Sequence, residues 1–452
     1  MALVLSAFIC IIVTTGGRQI FVKEVLGDAF DSQAEHFLRG NVDVDGEAIR
    51  WEAMVVNGKA RMYFGPFPAL LRIPLNLIYP AGRGMWSRIS GFLAGEIALF
   101  AFAGLISNAL RNSSLSARAR SWLGGACLVG FVFGTPLLLL LGNLSIYNEA
   151  IIWALGWSMA ALFFAWRSWD AAGRALVFSL LAFSFCAAAA LLSRVTFGAP
   201  LLLIALLLGF RLLREKRWPL LTALFLPVSA GLAFHLFLSY ARFGSFVGIS
   251  FDYYINPVHR EFAHKYGMFS LRRVPYGLVD YFGLRLPSVQ PHAPFLKADR
   301  HFFGHPQLYS LPFSETYLPV PLAASWLLTG AIFGVICLFR KRCSDSFEPG
   351  TAVAFGLQAL GILSYYALSQ RYSVELYPFL IFSLLVFLRC GGHFLVRSYH
   401  VIIGLVIVSI TINSLATVSW LVDADQNVRP ETHAIWNRFL GRSSPAATSE
   451  PK

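Results

Sequence analysis

Charge is scarce in this sequence. Asp, Glu, Lys and Arg make up 13% of its 452 residues, while 56% are hydrophobic and the mean hydropathy is +0.61. A soluble domain cannot hide that much apolar surface, so the composition predicts a polytopic membrane protein. Cysteine is scarce too. Cys10, Cys127, Cys186, Cys337, Cys343 and Cys390 are the whole set, and none falls in a loop expected on the outer face, which argues against a disulfide framework or a zinc site. There is no Walker loop, no G-x-G-x-x-G after a strand and no G-x-S-x-G elbow, so nothing points to ATP-driven transport or serine hydrolysis. Internal repeats and low-complexity tracts are missing. The opening "MALVLSAFICIIVTTGG" has no basic n-region and no A-x-A-like site, and is expected to be an uncleaved first span rather than a signal peptide.

What is there is a series of apolar runs long enough to cross a bilayer, at about 20 residues each. They lie near 3–22, 89–110, 121–141, 147–166, 175–193, 197–213, 218–238, 319–339, 351–369, 374–390 and 400–420. The expected fold is therefore an all-α polytopic membrane protein with about eleven transmembrane helices. "PALLRIPLNLIYP" is apolar as well, but it is short and carries Arg72, and reads as a helix lying in the interface.

The net charge of +13 tempts a nucleic-acid reading. The basic residues, however, sit in short gaps between apolar runs: Arg111, Arg118 and Arg120; Arg167 and Arg174; Arg211, Arg214, Lys216 and Arg217; Arg340, Lys341 and Arg342; Arg389 and Arg397. That is a topology pattern, with anionic headgroups as the counter-charge and no nucleic-acid partner. The rule places these gaps in the cytoplasm, the N-terminus inside and the C-terminus outside. A membrane domain over 1–422 then carries two long outer loops, 23–88 and 239–318. Residues 423–452 form an outer tail whose end, "GRSSPAATSEPK", is expected to be disordered.

Acids gather in the first outer loop. "FDSQAEHFLRG" has helical periodicity, which makes Asp31 and Glu35 i, i+4 neighbours and puts Asp28 at the N-cap position. It reads either as a solvated amphipathic helix with a capping Asp or as the carrier of a general base fixed near the membrane surface. "NGKARMYFGPFPALLR" follows, with Asn57-Gly58 as a tight turn between the short strands "EAMVV" and "ARMYF". "YNEAIIWALGW" puts Glu149 at the outer end of a span, as a helix-start acid, the second polar group of a site, or a metal ligand. Glu96 lies within a span on a face with Gly91 and Gly95, as a functional acid or as a helix–helix hydrogen bond. "QRYSVELYP" sets Arg371 and Tyr372 in a short outer gap, and Arg194 in "LSRVTF" and Arg242 in "YARFG" take similar positions. These arginines either snorkel to headgroups or clamp a lipid phosphate, for which the planar guanidinium suits. In "HAPFLKADRHFFGHPQ", His301 and His305 have i, i+4 spacing, but Gly304 and Pro306 oppose the helix a zinc pair would need.

This order of parts resembles the GT-C superfamily of polytopic glycosyltransferases: a first span, a large acidic outer loop with surface helices, many further spans and a second large outer loop. The likeness of layout runs to about residue 390. At residue level it rests on "FDSQAEHFLRG", "NGKARMYFGPFPALLR", "YNEAIIWALGW", "LSRVTFGAP", "YARFGSFVGISFDYY" and "QRYSVELYP", which look like segments of bacterial members. The resemblance implies a transferase of the bacterial inner membrane serving the cell envelope. It would move a sugar, with inversion, from a polyprenyl-phosphate donor to a glycan, lipid or protein acceptor on the outer face. It implies a catalytic acid in the first outer loop. Asp31 matches best and Asp28 is the alternative, because Ser32 follows Asp31 and the family's paired-acid form is absent. Glu149 would be the second polar group. Arg371, with Arg194, Arg242 and Tyr372, would bind the donor phosphate. No ligand cluster requires a metal, although a bound Mg²⁺ or Mn²⁺ is compatible with the chemistry. A transporter or flippase of a lipid-linked sugar would use the same arginines without a base. The paired broken helices many transporters show are not found here. A non-catalytic assembly protein is the third reading.

Overall fold

The computed structural model describes residues 1–246, 251–298, 308–309, 314–340, 347–423 and 427–442. Lys341, Arg342, Cys343, His301, Gly304, His305, Pro306 and the end of the tail, which entered the readings above, lie outside the described residues.

Every expected span coincides with helix, but not every helix has spanning length. Among the described residues, seven are long and apolar enough to cross a membrane: Ser87–Arg111, Ile146–Asp170, Gly173–Ser193, Val195–Arg214, Leu220–Phe243, Gln370–Cys390 and Gly392–Asp423. The other four segments hold shorter helices. Ala2–Val13, Ala117–Phe133, Ser325–Phe339 and Phe347–Leu363 run 12 to 17 residues. At 1.5 Å per residue that is about 18–26 Å, short of the roughly 30 Å hydrocarbon core.

Two of the shortfalls have a local cause. Over 121–141, Gly134-Thr135-Pro136 splits the run into Ala117–Phe133 and Leu137–Gly142, since proline cannot continue the ladder. The bundle satisfies the break: Trp326 Nε1 donates to the Gly134 carbonyl at 3.0 Å and the Thr135 hydroxyl to the Phe131 carbonyl at 2.8 Å. Over 319–339 the helix breaks at Ala324, whose φ of −150° and ψ of 51° are neither helical nor extended, leaving Val320–Ala323 and Ser325–Phe339. There Ser409 Oγ accepts the Ser325 amide at 3.1 Å, and Asn413 Nδ2 donates to the Ala323 carbonyl at 2.5 Å.

Two helices form the centre. In Ile146–Asp170 and Gln370–Cys390, 83% of the most apolar window is buried, against 17% in Leu220–Phe243, which lies at the edge. Close approach depends on missing side chains. A Cβ at Gly156 would stand 2.8 Å from the Ala94 carbonyl, and one at Gly334 would collide with the Ser383 backbone.

Segment 23–88 is folded and docked on this centre. Asn57 and Gly58 take left-handed φ of 52° and 74°, as a two-residue hairpin turn requires. They join strands Met54–Val56 and Lys59–Arg61, each narrower than expected, in the register Met54↔Arg61. Ala29–Leu38 is helical. Asp28 is at its N-cap, but the Asp28 side chain makes no capping bond, so that part of the sequence reading does not hold. "PALLRIPLNLIYP" forms the helix Phe67–Ile78. Its last residues, Leu77 and Ile78, are exposed, whereas Arg72 is 0% exposed. Rather than lying wholly in an interface, this helix packs on Ala29–Leu38 and on the heads of Ile146–Asp170 and Gly173–Ser193. Glu96 is half-buried, and its Oε1 is buried without a hydrogen-bond partner among the described residues. Segment 239–318 meets segment 23–88 through a Met54↔Tyr254 bridge and an Ile255 N–H donated to the Ala53 carbonyl at 3.0 Å.

Candidate active site

Asp31 lies on the inward face of Ala29–Leu38 and is 1% exposed. Its Oδ2 is 3.5 Å from Arg72 Nε, and Arg72 Nη2 is 2.6 Å from Glu149 Oε1, in the first turn of Ile146–Asp170. Ser90 Oγ donates to the same Glu149 oxygen at 2.5 Å and accepts from Trp153 Nε1 at 2.8 Å. The structure thus brings two predicted acids together around an arginine that the sequence reading treated only as a reason the segment does not span. An arginine inside a 12-residue apolar helix was the available signal.

The cluster is unsatisfied in a concentrated way. Both Asp31 oxygens, Arg72 Nη1, Glu149 Oε2, Asn76 Nδ2 and Asn148 Oδ1 are buried without a hydrogen-bond partner among the described residues. Native interiors rarely leave such atoms unpaired except where a ligand, ion or water completes them. Burial lifts the Asp31 carboxyl above its ordinary range. The Arg72 cation, and more weakly the Asn76 side chain and Gly84 amide facing it, oppose that rise.

Asp28 has a different setting. It lines a cavity of about 260 Å³ with Lys23, Ser32, Asp45, Ala48, Arg83 and Gly84. Ser32 Oγ donates to Asp45 Oδ2 at 2.7 Å, and Arg83 Nε pairs with Glu35 Oε1 at 2.6 Å. Gly84, at φ +77°, stands between the two aspartates: its amide faces Asp31, and a Cβ there would be 3.3 Å from Asp28 Cβ.

Of the three arginines expected at the outer rim, two converge. The Arg371 and Arg194 guanidinium carbons lie 5.4 and 5.7 Å from the Tyr372 ring centroid. Neither is unpaired: Arg371 Nη2 meets Glu315 Oε1 at 3.0 Å, and Arg194 Nε meets Glu375 Oε1 at 2.6 Å. Arg371 also lies over the Tyr147 ring, 4.1 Å from its centroid. Arg242 turns instead onto segment 23–88, where its Nη1 donates to the Phe64 carbonyl at 3.1 Å and Arg61 donates to the carbonyls of Ala241 and Arg242. Glu315, Glu375 and Glu52 were missed as site residues. Glu375 stood in the quoted "QRYSVELYP" and Glu52 opened the quoted strand "EAMVV", but nothing local marked Glu315.

The residues at Asp31 do not fit a divalent cation. Mg²⁺ and Mn²⁺ take a cage of oxygens, whereas here the two carboxylates share the Arg72 cation. No group of three or more His, Cys, Asp or Glu converges among the described residues. The zinc reading of His301 and His305 lies outside the described residues.

No protein-family model and no curated protein matches the chain. Among solved structures the chain is similar to the crystal structure of an oligosaccharyltransferase from Archaeoglobus fulgidus in the apo form, with 12% identity and a TM-score of 0.49. The match covers 100% of this chain and spans 60% of that one.

Proposed function

We propose that the protein is a GT-C-type inverting glycosyltransferase that moves a sugar from a polyprenyl-phosphate donor to an acceptor hydroxyl at the outer face of the membrane. One observation carries the reading: a carboxylate, Asp31, is buried with both oxygens lacking hydrogen-bond partners, at the head of the most buried apolar helices. Asp31 takes the proton of the acceptor hydroxyl. The hydroxyl oxygen then forms the new bond to the anomeric carbon as the bond to the phosphate oxygen breaks. The lipid phosphate leaves with the electron pair, and Arg371 stabilises its added charge. Arg72 keeps Asp31 ionised, and Glu149 holds Arg72. Glu149 and Tyr147 are two positions apart on one helix, about 200° around its axis, so the Arg72 and Arg371 clusters flank the helix head on different sides. An inverting displacement needs nucleophile and leaving group on opposite faces of the carbon, which suits that separation.

For a donor phosphate to reach Arg371, it takes the place of Glu315. Transfer is read from a radiolabelled polyprenyl-phosphate sugar with purified protein in nanodiscs, as label appearing on acceptor. Arg371→Lys keeps the charge but loses the two-pronged fork, and is expected to raise the apparent donor KM clearly; Arg371→Ala raises it further. If Arg371→Lys equals wild type in rate and KM, the arginine is a membrane anchor and the phosphate binds elsewhere, with Arg194 and Arg242 next. Lipid moved across the bilayer with its sugar bond intact would favour the transporter reading.

The proposed orientation puts 23–88 and 239–318 outside, in a bacterial inner membrane, with the N-terminus cytoplasmic and the C-terminus extracytoplasmic. The basic gaps support it. In a cysteine-free background, V55C and V289C, at exposed positions, are expected to react with an impermeant maleimide in intact cells, and W218C is not. The reverse pattern inverts the topology.

A further inference from the structure

Glu52 is 8% exposed and pairs with no Lys, Arg or His among the described residues. Its partners are three phenols. Tyr147 donates to Oε1 at 2.5 Å, while Tyr63 and Tyr254 donate to Oε2 at 2.7 and 2.9 Å. A buried carboxylate is costly unless its lone pairs are filled. Here they are filled from three places: the first outer loop, the head of Ile146–Asp170 and the second outer loop. Of the three phenols, Tyr147 is the one whose ring lies beneath the Arg371 guanidinium, at 4.1 Å.

We propose that Glu52 is a positioning residue for Arg371, acting through the Tyr147 ring. This rests on the reading of Arg371 as the phosphate-binding group. Two physical effects act together. The carboxylate fixes the phenol by its oxygen, helped by Trp51 Nε1 at 3.2 Å and by the Phe64 ring 5.7 Å away, so the ring cannot swing from under the cation. A phenol donating to an anion also carries more negative charge in its ring, which strengthens the attraction to a guanidinium on its face. Glu315 holds the same guanidinium from another direction. When a phosphate replaces Glu315, the Tyr147 ring at 4.1 Å is the nearer of the two rings that keep Arg371 in place, the other being Tyr372 at 5.4 Å.

The structural alternative is that Glu52 merely ties two outer loops together. The three tyrosines separate the two ideas. Each Tyr→Phe change removes one bond to the same carboxylate, but only Tyr147→Phe acts on the ring under Arg371. The probe is farnesyl phosphate binding to the full chain in nanodiscs, followed by the donor titration, with thermal melts to establish folding.

Glu52→Gln and Tyr147→Phe are each expected to weaken farnesyl phosphate binding about three- to tenfold, the range a partly desolvated cation–π contact spans. They should raise the donor KM by a similar factor with a smaller change in kcat. The double variant is expected to be no worse than the weaker single. Tyr63→Phe and Tyr254→Phe should stay within about twofold of wild type, since neither ring lies under the cation. In an Arg371→Ala background, Glu52→Gln should add nothing. Equal losses from all three Tyr→Phe changes, or a full added loss from Glu52→Gln without Arg371, would overturn the inference and leave Glu52 as a loop tie. If Arg371→Ala loses farnesyl phosphate binding while Glu52→Gln and Tyr147→Phe retain it, the positioning role alone fails. If Arg371→Ala binds farnesyl phosphate as wild type does, the phosphate reading fails and this inference with it. Should Glu52→Gln not fold, Tyr147→Phe decides by itself.

Discussion

Asp31→Asn is expected to lower transfer by about 10²–10⁴-fold, the usual weight of a general base, while protein level and farnesyl phosphate binding stay near wild type. The amide has the shape of the carboxylate, so the 1% exposed site stays filled. Arg72 keeps its 2.6 Å bond to Glu149, so no cation is stranded. What is lost is the proton acceptor. Because burial raises the Asp31 carboxyl, the base is protonated at higher pH than an ordinary aspartate. Transfer should therefore fall with decreasing pH along a limb lying above 3.8, the ordinary Asp value, and Asp31→Asn should lose that limb. Asp28→Asn is expected to cost far less, since the Asp28 side chain makes no capping bond. Wild-type turnover in Asp31→Asn would remove the assignment. Loss in Asp28→Asn alone would move the base to the cavity side of Gly84.

Arg72→Met is expected to have the largest effect on folding. It fills similar volume but leaves the Asp31 and Glu149 carboxylates buried without a cation. Removing one partner of a buried ion pair costs about 3–5 kcal/mol, enough to lower the melting temperature markedly and to reduce the amount of folded protein. Adding Glu149→Gln removes one stranded anion, so the double variant should recover part of the melting temperature. It should not recover transfer, because Asp31 then lacks the charge that favours its ionised form. A melting temperature for Arg72→Met equal to wild type would mean the cluster carries no net stabilisation, and that Arg72 does not hold the carboxylates charged.

Much of the architecture could be read from the chain before any contact was known. Helix occurs at each of the eleven apolar runs, the hairpin turns at Asn57-Gly58, and a helix follows Asp28, because hydropathy, turn chemistry and periodicity are local properties. The lengths were less legible. Pro136 and the break at Ala324 interrupt runs that composition counts as continuous. The freed backbone groups are tolerated only because Trp326, Ser409 and Asn413 reach them from other helices.

The candidate site was legible as a set of residues but not as a set of partners. Asp31, Glu149, Arg371 and Arg194 stood out because charge is rare in an apolar chain. Their partnerships depend on which helix faces touch. Arg72 meets Glu149 across 77 positions, Tyr147 meets Glu52 across 95, and Tyr254 meets Glu52 across 202. No period or motif spans such distances. Arg72 illustrates the division. Composition along the sequence determined that an arginine sits in an apolar helix, where it needs an anion. Only the tertiary packing of Phe67–Ile78 against Ala29–Leu38 and Ile146–Asp170 decided that the anions are Asp31 and Glu149, because a buried charge is held by whichever opposite charge the fold places within a few ångströms.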